Sequence, residues 1–498
     1  FVGKALSSTQ IQITSPPSGE RSEIAGETIL KGKAVGFGAN GKVFNAINTP
    51  TGNVTVGEVA NYATIGTDLS TGLYGSATNV TWDDDYNVAI VLINNGSTLD
   101  YTIATPSGTG WSYSTLVTLI SSNKGGVAIA KGLAGDGTPE YYLVMTTTNT
   151  GYQDQTMTFD GTTFTVVETI DTMNSGQLKN TSGAGGVVKV EWSTNDAKTS
   201  GGTKFYGSYK VLGSYAGQYY ESGKVNLANV YCNNPSNNIY AKTVQINQVG
   251  SSQSGARLPS INGFDMVQTQ GTYADAGNGN QYAYIFVGMR KYGYSDNWGM
   301  QKFYNAYNTM QWIASNSFLD ASPGNNVACG LSMALNESGA NPYLYLFCTR
   351  SNNLSVQVYN PQLDQYNSQG TTAGQITDLI TDSNFGGNLV VCSHFDIPTS
   401  TMIMAYGVVI SSTDQRMYYG TATLSQTAPY ISMTAFTNYF ASCGVDSAGS
   451  DCNTYIHDKG NSEYILINNS ASSSFGTKKA SLINIGVEQN LGFDAYIG

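Results

Sequence analysis

Charge is what this 498-residue chain has least of: Asp, Glu, Lys and Arg together make up 11% of it, against ~25% in an average soluble domain. Lys, Glu and Arg build the solvent face of most helices, so their scarcity removes the material for amphipathic helices. Positive charge is scarcer still. The 23 Lys and Arg stand against 34 Asp and Glu, for a net charge of −11, and only five of the 23 are arginine. Such a surface offers no basic stripe for phosphates, which argues against nucleic acid and anionic membranes as partners. No apolar run approaches the ~20 residues that span a bilayer, so membrane insertion is not expected either. Six cysteines are too few for a disulfide framework. Cys443 and Cys452 bracket a short loop that a bridge would close, whereas Cys329, Cys348 and Cys392 sit in apolar runs and read as small buried hydrophobes. There is no Gly-x-Ser-x-Gly elbow, P-loop, zinc motif or dinucleotide fingerprint, and hence no catalytic residue to name.

In place of charge the chain has 57 glycines and 34 tyrosines, with abundant Thr, Ser, Asn and Val. These residues favour strands joined by tight turns, and the chain reads as all-β. Residues 1–62 read as a small β-module. Within it Ala34-Val35-Gly36-Phe37 and Lys42-Val43-Phe44 flank Asn40-Gly41, a dipeptide that tolerates the positive φ of a hairpin turn.

From residue 63 to 490 one pattern recurs: an apolar strand, a turn rich in Gly, Asp and Asn, then a second strand that is aromatic and strongly apolar. The second strands begin at Tyr86, Tyr141, Lys204, Tyr282, Tyr343, Met402 and Tyr464, every ~55 to 75 residues. Seven copies of a three- or four-stranded unit, none able to bury both faces alone, predict a seven-bladed β-propeller. Tandem β-sandwiches are the alternative. The third copy is longest, with an apparent insertion from Gly213 to Pro259. Residues 491–498 read as a C-terminal strand or the start of a further module.

The turn after each first strand is acidic: Asp83-Asp84-Asp85, Asp136 with Glu140, Asp196, Asp275, Glu337, Asp396, and Asp458 with Glu463. In a propeller these turns share a face, so Asp83, Asp85, Asp136 and Glu140 are candidate ligands for calcium, which takes several oxygens at once. The bland reading is that tight turns require Asp, Asn and Gly. The only histidines, His394 and His457, occupy matching slots in copies six and seven and are candidates for a shared metal site. Met289 to Trp312 is dense in aromatics. Tyr292, Tyr294 and Trp298 are its candidate ligand contacts, while Phe303 and Trp312 read as core.

The segment Ala25-Gly26-Glu27-Thr28-Ile29-Leu30-Lys31-Gly32-Lys33-Ala34-Val35-Gly36-Phe37-Gly38-Ala39-Asn40-Gly41-Lys42-Val43 resembles a small β-module in structural proteins of phages and large aquatic viruses. That resemblance covers about 40 residues and transfers no functional residue. It implies a non-enzymatic virion appendage (fibre, spike or decoration protein) at the virion surface or otherwise extracellular. Its expected partners are other virion proteins and a host glycan or protein. No cofactor is expected beyond the calcium already considered. The alternatives are a secreted cellular lectin or adhesin, and a polysaccharide-degrading hydrolase or lyase whose carboxylate pair is defined only in space.

Overall fold

The computed structural model describes five short strands between residues 2 and 45. It then describes residues 78–486 except for connecting stretches, the longest being 171–187 and 250–263. The described residues contain no helix, and so none long and apolar enough to cross a membrane. Val2–Ser7, Gln10–Ser15 and Gly19–Ile24 form a three-stranded meander, and Val35–Phe37 pairs with Val43–Asn45 as the Asn40-Gly41 signal predicts. That dipeptide itself and residues 491–498 lie outside the described residues.

Seven antiparallel sheets follow, each a meander that starts at its innermost strand. Blades 1 to 7 begin with Thr78–Asp83, Val127–Leu133, Val188–Ser193, Phe264–Gln268, Ala328–Asn336, Val391–Asp396 and Cys452–Gly460. Their second strands are Val88–Asn94, Pro139–Thr147, Ser208–Ser214, Gln281–Lys291, Tyr343–Arg350, Thr401–Val409 and Glu463–Ser470. Inner strands pack side by side from blade 1 to blade 3 and from blade 4 to blade 7, that of blade 7 closes on that of blade 1, and the Lys189–Asp265 ion pair joins blades 3 and 4. The chain is a seven-bladed β-propeller.

The core lies between blades. One apolar cluster joins blades 1 and 2, another 2 and 3, and so on to a large cluster shared by blades 5, 6 and 7. Blades 2 to 6 are therefore covered on both faces, which is why their second strands are continuous apolar runs rather than alternating ones. Ala89, Ile90, Val91 and Leu92 have no exposed surface, nor do Tyr142, Leu143, Val144 and Met145. Close packing reaches the backbone at Gly132, where an added Cβ would lie 2.4 Å from the Trp192 ring of the next blade.

Blade 3 corrects two expectations. Its second strand is Ser208–Ser214, not the run from Lys204; Thr203–Phe205 instead pairs with Lys198–Ser200 in a small hairpin inside the turn. Tyr209, Val211 and Leu212 are fully buried while Lys204 is exposed, so burial and not aromatic content marks the blade strand. Nor is Gly213 to Pro259 an insertion. It holds the blade's third and fourth strands, Val225–Cys232 and Lys242–Val249, and the extra length lies in the connections. Phe303 and Trp312 are buried as expected, and Cys232, Cys348 and Cys392 are buried thiols outside any disulfide. The side chains of Cys329, Cys443 and Cys452 lie outside the described residues.

Candidate functional site

An innermost strand has no inward neighbour, so one row of its N–H and C=O groups faces the propeller axis. The seven inner strands enclose a central channel of about 840 Å³ whose wall takes residues from every blade. Side chains from the preceding blade cap part of that free edge. His457 of blade 7 accepts the Trp82 N–H of blade 1 at 3.0 Å, and Asp265 of blade 4 accepts the Met333 N–H of blade 5 at 2.7 Å. Ser332 of blade 5 accepts the Ser393 N–H of blade 6 at 2.9 Å. Polar residues in these strands thus complete a backbone edge that no further strand pairs.

Three charged clusters line the channel. In the first, the ammonium of Lys131 on blade 2 reaches Asp83, Asp84 and Asp85 of the blade 1 turn at 2.7, 2.7 and 2.8 Å. Burial would lower its pKa, but the three carboxylates raise it instead, and Lys131 in turn holds Asp84 below the usual range. In the second, Lys189 pairs with Asp265 and stands 3.9 Å from Glu191. Asp265 has both oxygens engaged: Oδ1 by Lys189 and the Met266 N–H, Oδ2 by the Met333 N–H and the Ser332 hydroxyl. Burial pushes the Glu191 carboxyl up to about 6 against the pull of Lys189, and burial raises the Cys392 thiol beyond any thiolate at neutral pH. In the third, His394 Nε2 lies 3.6 Å from Asp458 Oδ2, and Lys459 sits 4.3 Å above the Trp82 ring. Burial lowers His457 to about 4 and keeps it neutral, with Nε2 free to accept.

The structure places the candidate residues in different settings. His394 and His457 both line the channel on adjacent blades, with His457 engaged by the Trp82 N–H. Asp83, Asp84 and Asp85 form the one group among the described residues whose ligand atoms converge enough for a metal ion, and Lys131 occupies its centre. Asp136 Oδ1 accepts the N–H and hydroxyl of Thr138 at 2.9 and 2.6 Å within its own turn. Glu140 is buried between blades 2 and 3, where the Tyr209 hydroxyl and the Cys232 thiol donate to it at 3.3 and 3.5 Å. Asp196, Asp275, Tyr292 and Tyr294 lie outside the described residues; Trp298 is on the third strand of blade 4, Asn297–Ala306, paired with Arg290 and Ala321. The residues that sequence reasoning missed are Lys131, Lys189, Glu191, Asp265, Ser332 and Ser393. Their signal was a polar side chain inside an otherwise apolar first strand, most plainly in Val188-Lys189-Val190-Glu191-Trp192-Ser193, whose alternation puts Lys189, Glu191 and Ser193 on one face.

No family model matches the chain, and no curated protein does. Solved structures similar to it include AofleA from Arthrobotrys oligospora, at 10% identity and TM-score 0.38 over 77% of this chain and 91% of that one. The periplasmic gluconolactonase of Pseudomonas aeruginosa matches at 14% identity and TM-score 0.39, over 78% and 93%. The WD40 domain of fission yeast SCAP matches at 9% identity and TM-score 0.36, over 82% and 85%. Similarity at this level assigns no ligand and no reaction; seven blades around one polar channel stand on the strand pairing itself.

Proposed function

We propose that this protein is a non-enzymatic recognition propeller, carried as a virion surface appendage, which attaches to a host glycan or protein and admits a small polar ligand to its central channel. The observation that carries the reading is the state of the channel's reactive groups. Lys131 and Lys189 are locked in ion pairs, Cys392 is held as a thiol, and Asp265, Ser332 and His457 are used to cap strand edges. Nothing among these is an activated nucleophile with its base, whereas fixed donors and acceptors in a preformed cavity are what binding requires. The low surface charge and the N-terminal resemblance support display on a particle. A secreted lectin or adhesin would share the same binding chemistry, and copurification with intact particles separates the two.

The purified protein should bind a subset of a glycan array without releasing reducing ends. Tyr294→Ala with Trp298→Ala should weaken that attachment about tenfold or more while the fold is kept. Unchanged attachment by the folded double variant removes those residues from the contact surface. A second reading, a glycoside hydrolase, is favoured by one observation: Glu191 is a channel carboxyl raised to about 6, near a second acid, Asp265. Sustained release of reducing ends, lost in Glu191→Gln, would establish that reading in place of the first.

A further inference from the structure

Most acids of the channel wall already have partners. Asp84 holds Lys131, Asp265 has both oxygens engaged, and Glu337 accepts the Gln270 N–H and the Tyr273 hydroxyl at 2.9 and 2.6 Å. Glu191 differs. Among the described residues it caps no strand edge; it faces the channel with 34% of its side chain exposed, and the described charge nearest it, Lys189 at 3.9 Å, is neutralised by Asp265. An acid with no edge to complete, set in a cavity, is a recognition group.

We propose that Glu191 anchors a binding site in the central channel for small polar molecules that carry a primary ammonium group, an amino sugar or a polyamine. This rests on the reading of the channel as a ligand site and names the chemistry of its ligand. An ammonium supplies three donors and one positive charge to a carboxylate that accepts no hydrogen bond among the described residues and has only the more distant Lys189 charge beside it. The described wall carries five acids (Asp84, Glu191, Asp265, Glu337 and Asp458) against three lysines (Lys131, Lys189 and Lys459), a balance that disfavours an anionic ligand. A bare divalent ion fits less well, because it needs several converging oxygens, and among the described residues only Asp83, Asp84 and Asp85 converge, around Lys131. About 840 Å³ is room enough for a sugar.

The site is also proton-linked. Asp84 on blade 1, Lys131 on blade 2, Lys189 on its own strand, Asp265 on blade 4, Glu337 on blade 5, Cys392 and His394 on blade 6 and His457, Asp458 and Lys459 on blade 7 share the cavity with Glu191. Burial, with the Asp265 charge, outweighs the opposing pull of Lys189 and His394 and leaves the carboxyl titrating near 6, so it is mostly protonated at pH 5 and mostly ionised at pH 7. Ammonium binding should therefore fall roughly tenfold from pH 7 to pH 5.

Calorimetric titration of the full chain with glucosamine, N-acetylglucosamine, glucose and spermidine tests this. Glucosamine or spermidine should bind at pH 7, the two telling sugar from polyamine, while N-acetylglucosamine and glucose bind at least about tenfold more weakly. Glu191→Gln should cost the amine roughly tenfold to a hundredfold in affinity, and Glu191→Asp less. Equal affinity for N-acetylglucosamine, unchanged amine binding by folded Glu191→Gln, or no binding of either amine overturns the proposal. Should Glu191→Gln fail to fold, the wild-type contrast of glucosamine with N-acetylglucosamine at pH 5 and 7 decides alone. Glycan attachment without amine binding rejects this inference only; amine binding without attachment rejects only the attachment reading.

Discussion

Lysine carries three N–H donors on one ammonium, and at position 131 each meets a different carboxylate. The three contacts are unequal: Asp83 is buried with 2% of its side chain exposed, while Asp84 and Asp85 are 76% and 58% exposed, so the first supplies most of the stabilisation. Lys131→Gln leaves three carboxylates facing one another and should cost about 2 kcal/mol. The same change vacates a site of calcium-like oxygen density, so millimolar Ca²⁺ should restore part of the lost thermal midpoint in the variant and add little to the wild type. Calorimetric melts with and without Ca²⁺ check both halves; equal Ca²⁺ responses would show that Lys131 does not control the cluster. The sequence makes Asp83-Asp84-Asp85 visible and leaves Lys131 invisible, because the lysine lies 46 to 48 residues away and only blade packing brings it there.

Strands and turns repeat one solution to a shared problem, the joining of neighbouring blades. The Tyr141 hydroxyl of blade 2 donates to Asp83 of blade 1, Tyr464 of blade 7 to Asp396 of blade 6, and Tyr209 of blade 3 to Glu140 of blade 2. The acidic turns and the tyrosine-rich second strands, two separate regularities of the sequence, are thus donor and acceptor of one latch. Their separations of 58, 68 and 69 residues match the repeat length. Tyr464→Phe takes a donor from a buried carboxylate and should cost about 1.5–3 kcal/mol. Combined with Asp396→Asn in a double-mutant cycle under urea, it should show a coupling of ~1 kcal/mol or more, and strict additivity would mean the two do not act as a pair. Strand positions were legible because burial on both faces writes an unbroken apolar run. Blade 3 was misplaced because its turn hairpin, Lys198–Ser200 with Thr203–Phe205, mimics the aromatic run of a blade strand.

A ring of blades has one place where the chain does not carry the sheet onward, the seam between blade 7 and blade 1. Here the inner strands pack together, Lys459 lies over Trp82, and His457 accepts the Trp82 N–H. Neither the seam nor the channel can be read locally, since each is assembled from strands hundreds of residues apart; the sequence showed that His394 and His457 fall in matching slots, but not that one closes the ring. The seam makes stability sensitive to acid. Burial holds His457 near 4 when folded against an ordinary 6.5, so its contribution is complete above pH 6.5 and lost as pH falls towards 4, at most about 3 kcal/mol. Protonation places an N–H against the Trp82 N–H and breaks the bond itself. Glu191 acts in the opposite sense: raised from 4.5 to about 6, it favours the fold below pH 4.5 and loses that contribution as pH rises through 6, by about 1 kcal/mol after allowance for its exposure. The two effects overlap, so the seam is best measured in a Glu191→Gln background. There, stability by urea unfolding should fall steadily from pH 6.5 to 4, and adding His457→Gln, which keeps an acceptor for Trp82 but does not titrate, should flatten the curve. A slope unchanged by His457→Gln would mean that the acid sensitivity arises elsewhere and that this histidine is no part of the closure.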